Sequence, residues 1–145
     1  MDTTAGDTDS SSGSTRLLLV DDQADLAEVT GLHLENRRED FDVTLASDGE
    51  TALAALAETT VDCVVSDYEM PEMDGLELLR AVKDRDPSLP FILYTGRGSE
   101  EIASEAISEG VTDYLQKRTT SDQYDVLANR VENAVARRRS ERARE

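Results

Sequence analysis

Apolar positions along this chain fall into two kinds of run. Leu17-Leu18-Leu19-Val20, Val61-Asp62-Cys63-Val64-Val65 and Pro90-Phe91-Ile92-Leu93-Tyr94 are short, dense and rich in β-branched or aliphatic residues, and they predict buried parallel strands. Val111 to Gln116 adds another strand. Phe41 to Leu45 alternates apolar with polar, as a half-buried edge strand should. Between these blocks the apolar spacing turns helical. Gln23 to Glu35 predicts a helix with Leu26, Val29 and Leu34 inward, weakened at Gly31 by ~1 kcal/mol relative to Ala. Residues 50–58, after the turn residues Ser47-Asp48-Gly49, predict a helix with Ala52, Leu53 and Leu56 inward. Others run from Leu76 to near Pro87 and from Glu100 to Glu109, the latter with Ile102, Ala106 and Ile107 and closed by Gly110. A last helix starts near Ser121 or Asp122 with a stripe of Tyr124, Leu127, Val131, Ala134 and Val135.

Five strands alternating with five helices, without internal repeat, predict an α/β fold. The sheet is parallel, with helices on both faces and right-handed crossovers. Three segments follow. Residues 1–15 hold nothing to bury and read as a disordered leader. Residues 16–136 form the folded domain. Residues 137–145 hold five Arg and two Glu and read as a charged helical extension or linker, too short to establish a coiled coil.

Composition narrows the setting. The 145 residues suffice for one domain with a real core. The net charge of −17 disfavours nonspecific binding to nucleic acid or anionic lipid, and nothing resembles a DNA-reading module. Thirteen Arg against two Lys, with that acidity, matches a protein of a salt-loving organism, a halophilic archaeon, where dense carboxylates keep the surface hydrated. No run approaches membrane-spanning length and no secretion signal is present, which predicts a cytoplasmic protein without membrane contact. Cys63, the single cysteine, sits mid-strand and reads as a small buried hydrophobe. His33 has no ligand partner at metal spacing and reads as a helix-surface or core-edge residue.

The chemistry gathers at strand ends. Asp21-Asp22 closes the first strand, Asp67 the third, Thr95 the fourth and Lys117 the fifth. Asp67 alone is equally well a helix cap or a loop acid. In a doubly wound sheet ordered 2-1-3-4-5, however, these ends lie side by side on one edge, where open α/β sheets place ligands. Two like charges at about 4 Å repel by roughly 4 kcal/mol at an effective dielectric near 20. A divalent cation such as Mg²⁺ relieves this through oxygen ligands, although one Asp of the pair could instead cap the following helix. Lys117 and the metal neutralise an incoming phosphoryl group, Thr95 donates a hydrogen bond to it, and Asp67 attacks phosphorus.

Leu-Val-Asp21-Asp22, Asp67-Tyr-Glu-Met-Pro71-Glu-Met-Asp74-Gly75, Tyr94-Thr95-Gly96 and Tyr114-Leu-Gln-Lys117, in this order, resemble the receiver domain of two-component response regulators over about residues 16–136. The resemblance implies the flavodoxin-like receiver fold. It implies that Asp67 accepts a phosphoryl group from a histidine kinase or phosphotransfer protein. Mg²⁺ is then held by the Asp22 and Asp67 side chains and the Glu69 carbonyl, with Asp21 acting mainly through water. Thr95 and Tyr114 move on phosphorylation and remodel the face of the fourth helix, fifth strand and fifth helix, read by a downstream protein or fused output domain and also a face for homodimer formation. The family usually places Pro after the lysine. Arg118 stands here, so a trans bond is expected, since cis without Pro costs about 2.5–4 kcal/mol. Glu69 and Arg97 carry opposite charges two residues after Asp67 and Thr95 and are expected to set the phosphoryl lifetime.

The expected role is that of a phosphoacceptor, not an enzyme. A module of a longer hybrid kinase or regulator is the alternative. An aspartyl phosphatase would want an acid two residues after its nucleophile, which Glu69 supplies. A flavodoxin-like cofactor binder is disfavoured, because Asp21-Asp22 would repel phosphate where its phosphate loop belongs.

Overall fold

The computed structural model describes residues 14–96, 100–118, 120 and 122–143. Strands and helices alternate among them: β1 (Thr15–Val20), α1 (Ala24–Arg37), β2 (Phe41–Ala46), α2 (Gly49–Glu58), β3 (Cys63–Ser66), α3 (Gly75–Arg85), β4 (Phe91–Thr95), α4 (Glu100–Ser108), β5 (Asp113–Gln116) and α5 (Gln123–Ala143). The five strands form one parallel sheet ordered β2-β1-β3-β4-β5, the doubly wound order expected. Residues 1–13 of the expected leader lie outside the described residues, and β1 already includes Thr15. α5 continues without a break from Gln123 through residues 137–143.

The dense apolar strands serve two faces at once. Leu18, Val20, Val64, Phe91 and Leu93 meet α2, α3 and α4 through Ala52, Leu78, Leu79 and Ala106. Leu17, Leu19, Val65, Ile92 and Tyr94 meet α1 and α5 through Ala27, Leu34, Leu127 and Val131. Alternating side chains buried on both sides are what a central parallel strand requires, so no polar alternation survives in β1, β3 or β4. Cys63 is fully buried in the second layer.

The helix faces differ in places from the expected ones. In α1 the buried positions are Ala27, Thr30, Gly31 and Leu34, whereas Leu26 and Val29 are 48% and 44% exposed. The cause is close approach: a Cβ on Gly31 would lie 3.3 Å from Val43 Cγ1, so the smallest residue faces β2 and the bulky ones turn outward. Gly31 is thus a packing residue rather than a defect. Ile107 faces outward on α4, leaving Ala106 to face the core, and Leu45 is exposed on the edge strand β2. β3 and β5 are each two residues shorter at their starts than expected. Gly110 adopts φ 94 just beyond α4, the left-handed stop its position predicts.

Candidate functional site

The strand register brings the polar ends together. Val20 pairs with Ser66, Ser66 with Leu93, and Thr95 with Gln116. The ladder continues past the strands: the Asp67 amide donates to the Val20 carbonyl at 2.9 Å, Asp21 N–H to Ala46 O at 3.0 Å, and Lys117 N–H to Thr95 O at 2.9 Å. Asp21, Asp67 and Lys117 are therefore fixed by backbone bonds on one edge, as the topology predicted.

The side chains converge. Lys117 Nζ lies 2.9 Å from Asp21 Oδ2 and 3.7 Å from Asp67 Oδ2, and the two carboxylates are only 7% and 12% exposed. Carboxylate oxygens of Asp21, Asp22 and Asp67 all lie within 4.8 Å of one another. Three carboxylates against one ammonium leave a formal charge of −2, which a single divalent ion would cancel, and the donors are all hard oxygens. The residues thus fit a Mg²⁺-type ion. Asp22 and Asp67 open into a cleft that Glu69, Met70 and Asp74 also line. Asp21 Oδ1 accepts from Gln23 N–H at 2.9 Å, so Asp21 holds the entry to α1 while also binding Lys117. Neither acid of the pair is the N-cap; Gln23 is, without a side-chain bond.

The loop behind Asp67 is built to bring α3 close. Asp67 Oδ1 accepts from Tyr68 N–H at 2.7 Å. Asp74 caps α3 in a reciprocal box with Glu77. A Cβ on Gly75 would fall 2.4 Å from the Asp67 carbonyl oxygen, so only glycine fits there. Glu72, at φ 71, takes the left-handed turn between Pro71 and the helix.

Lys117 has supports that the sequence did not point out. The Lys117–Arg118 bond is trans. Arg118 N–H donates to Gln123 Oε1 at 2.9 Å, and Tyr94 Oη donates to the same oxygen at 2.6 Å. The Tyr94 ring lies 5.6 Å from Lys117 Nζ, in cation–π range. Burial, reinforced by Tyr124, raises the Tyr94 phenol well above its usual range, so it stays a donor. Gln123 could have been sought as the first polar side chain of the last helix, but only the fold shows that it reaches back.

The remaining predicted residues are placed as follows. Thr95 is fully buried at the end of β4. Tyr114 packs against the layer formed by α2, α3 and α4, and its hydroxyl is buried without a hydrogen-bond partner among the described residues; burial raises its pKa. Glu69 is exposed, and Arg97 lies outside the described residues. His33 is away from the site, stacked on Tyr124 with centroids 4.1 Å apart between α1 and α5.

Comparison with known proteins agrees with this geometry. The family model described as the response regulator receiver domain matches residues 17–129. The chain is 34% identical over 119 residues to the transcriptional regulatory protein FixJ of Bradyrhizobium diazoefficiens, covering 82% of this chain and 56% of that protein. It is 36% identical over 127 residues to the transcriptional regulatory protein ZraR of Salmonella typhimurium, covering 88% of this chain and 28% of that one. The chain thus spans between about a quarter and just over half of these relatives. The crystal structure of a response regulator receiver domain protein from Clostridium thermocellum superposes with TM-score 0.78 at 28% identity, covering 86% of this chain and 97% of that one.

Proposed function

Because the chain belongs to the response regulator receiver domain family, we propose that its signal is a phosphoryl group carried on Asp67. The observation that carries this reading is the placement of Lys117 Nζ at 2.9 and 3.7 Å from Asp21 and Asp67, within a cluster of three carboxylates. The Asp67 carboxylate attacks the phosphorus of a phosphohistidine on a histidine kinase or phosphotransfer protein. The P–N bond breaks, the electron pair returns to the imidazole, and Asp67 becomes an acyl phosphate. Lys117 offsets charge on the transferring oxygens, and Thr95 donates a hydrogen bond to them. Asp22, Asp67 and the Glu69 carbonyl would hold Mg²⁺, with Asp21 acting through water. Its double charge supplies neutralisation that Lys117 alone does not.

We infer that Thr95 and Tyr114 relay the change. The unpartnered, buried Tyr114 hydroxyl supports this, because a group with no bond to break moves at low cost. The α4–β5–α5 face would then be read by a downstream protein, a fused output domain or a second copy. The role is stoichiometric acceptance in the cytoplasm rather than turnover. Glu69 and Arg97 are proposed to tune the lifetime; an unchanged dephosphorylation rate in the double alanine variant would discard that part. The charge of −17 supports adaptation to high salt, so stability should rise steadily with KCl.

Acetyl phosphate with and without Mg²⁺ tests the core. Wild type should gain one base-labile phosphoryl group only with the metal, and Asp67→Asn none. Labelling that survives Asp67→Asn refutes the assignment, and repeated substrate turnover would favour the phosphatase alternative.

A further inference from the structure

At the opposite edge of the sheet from Asp67, α2 and α3 end and β3 and β4 begin. A cleft of about 420 Å³ opens there, against the last turns of α5. Its charged lining is Arg85, Arg138, Arg142 and Asp86, a formal surplus of +2 in a chain of −17. Leu56, Val61, Val82 and Leu89 make an apolar wall, and Thr59 and Thr60 line the cleft too, the Thr59 hydroxyl donating to the Ala55 carbonyl at 3.0 Å.

Helix ends explain part of this positive charge. Lys83 and Arg85 stand in the last turn of α3, where basic groups suit the helix dipole; Arg85 Nη1 donates to the Leu53 carbonyl of α2 at 3.0 Å, and Lys83 Nζ to the Leu89 carbonyl of the following loop at 2.9 Å. Two observations are left over. Arg138, with its side chain 10% exposed, spends Nη2 on Asp86 at 2.8 Å, but its Nε–H is buried and has no acceptor among the described residues. Arg142 lines the same cleft, and Asp86, the acid that lines it with Arg142, is already held by Arg138. A buried guanidinium donor without an acceptor is rare, and it marks where an acceptor is missing.

We propose that this cleft binds a dianion of the phosphate class, independently of the Asp67 chemistry. A doubly charged oxyanion cancels the +2 surplus and accepts from Arg142 and, once its side chain turns into the cleft, from Arg138 Nε–H. The Thr60 hydroxyl donates a further hydrogen bond to it, since that of Thr59 is spent on the Ala55 carbonyl. The apolar wall favours a phosphate or phosphonate that carries a small apolar body, and the volume suits a ligand of that size.

The test uses the full chain in EDTA, which removes metal-assisted binding at the carboxylate site. Amide NMR spectra are recorded while titrating inorganic phosphate or phenylphosphonate; the C–P bond of the latter keeps it from phosphorylating Asp67. Saturable shifts should appear at Thr59, Thr60, Val61 and Arg138, with phenylphosphonate binding more tightly than phosphate. Arg142→Gln, at an exposed position, should weaken both by about tenfold, the loss of one charge-assisted hydrogen bond. Arg130→Gln, whose arginine pairs with Asp113 away from the cleft, should leave both unchanged. The same spectra report whether each variant is folded. Shifts confined to the loops of Asp21 and Asp67, or equal affinity in Arg142→Gln and wild type, would overturn the proposal.

Discussion

Replacing Lys117 by Met keeps most of the aliphatic stem and deletes the charge at the centre of the carboxylate cluster. At separations of 2.9 and 3.7 Å and an effective dielectric near 20, Lys117 attracts Asp21 and Asp67 by about 6 and about 4.5 kcal/mol. Each pair of carboxylate oxygens, no more than 4.8 Å apart, repels by at least about 3.5 kcal/mol on the same scale. These gross terms are largely offset by desolvation, and removing one partner of a buried pair typically costs 3–5 kcal/mol. Lys117 is 23% exposed, so we expect the lower end, about 3 kcal/mol. In urea with EDTA, a slope of about 1.5 kcal/mol per molar moves the midpoint down by about 2 M. Mg²⁺ should restore much of this, because it supplies the missing positive charge, and should stabilise Lys117→Met more than it stabilises wild type. Adding Asp67→Asn to Lys117→Met should recover part of the loss in EDTA, since one repelling charge disappears. If Lys117→Met stays within about 0.5 kcal/mol of wild type in EDTA, the cluster is not held together as argued.

Three further outcomes follow from particular contacts. Gly75→Ala drives a Cβ to 2.4 Å from the Asp67 carbonyl, a backbone atom that cannot swing aside, so it should cost about 2–3 kcal/mol and slow phosphorylation; an unchanged urea midpoint contradicts this. Gln123→Ala strips the shared acceptor from Arg118 N–H and Tyr94 Oη and should cost about 1–2 kcal/mol. It should also lower the acetyl-phosphate labelling rate while leaving Mg²⁺ affinity alone, and an unchanged rate would show that Lys117 needs no such support. Burial, with Asp62 adding to it, pushes the Cys63 thiol up to about 12, so a thiol-specific disulfide reagent at pH 8 should label nothing in the native protein and one thiol in urea; rapid native labelling would refute its burial.

Strand order, strand ends and the placement of Asp21, Asp67 and Lys117 were legible because they depend on period and topology. A dense apolar block must be a central strand, and a residue after it must sit on the ligand edge. Helix faces were less legible. Leu26 and Val29 fit an inward stripe by spacing, but the face turned to β2 is the one where Gly31 lets the helix lie close to Val43. Hydrophobicity did not carry that information; side-chain size against a neighbour 12 residues away did. Likewise strand pattern alone did not tell Asp21 from Asp22; in the sequence only the family resemblance gave them different roles. Burial separates them: Asp21 is enclosed with Lys117 while Asp22 is exposed at the cleft.

The substitution of Arg118 for the usual proline has a physical consequence at the far end of the chain. A proline at this position has no N–H, so it could not donate to Gln123. With arginine present, the peptide after Lys117 is tied to the first residue of α5, and the same Gln123 oxygen holds Tyr94, whose ring lies beside Lys117 Nζ. α5 is in turn fastened to α1 by the His33–Tyr124 stack and by Arg37–Asp125 at 2.6 Å. Any displacement of the Lys117 loop therefore pulls on α5 through the Arg118–Gln123 hydrogen bond, while Tyr94 holds the same Gln123 oxygen from β4, and a shift of α5 works against its contacts with α1. Contiguity of this kind is a mechanical link rather than a measured coupling. A double-mutant cycle between Gln123→Ala and Asp67→Asn, read on the exchange of α5 amides, measures it directly, and strict additivity would place the response of α5 elsewhere.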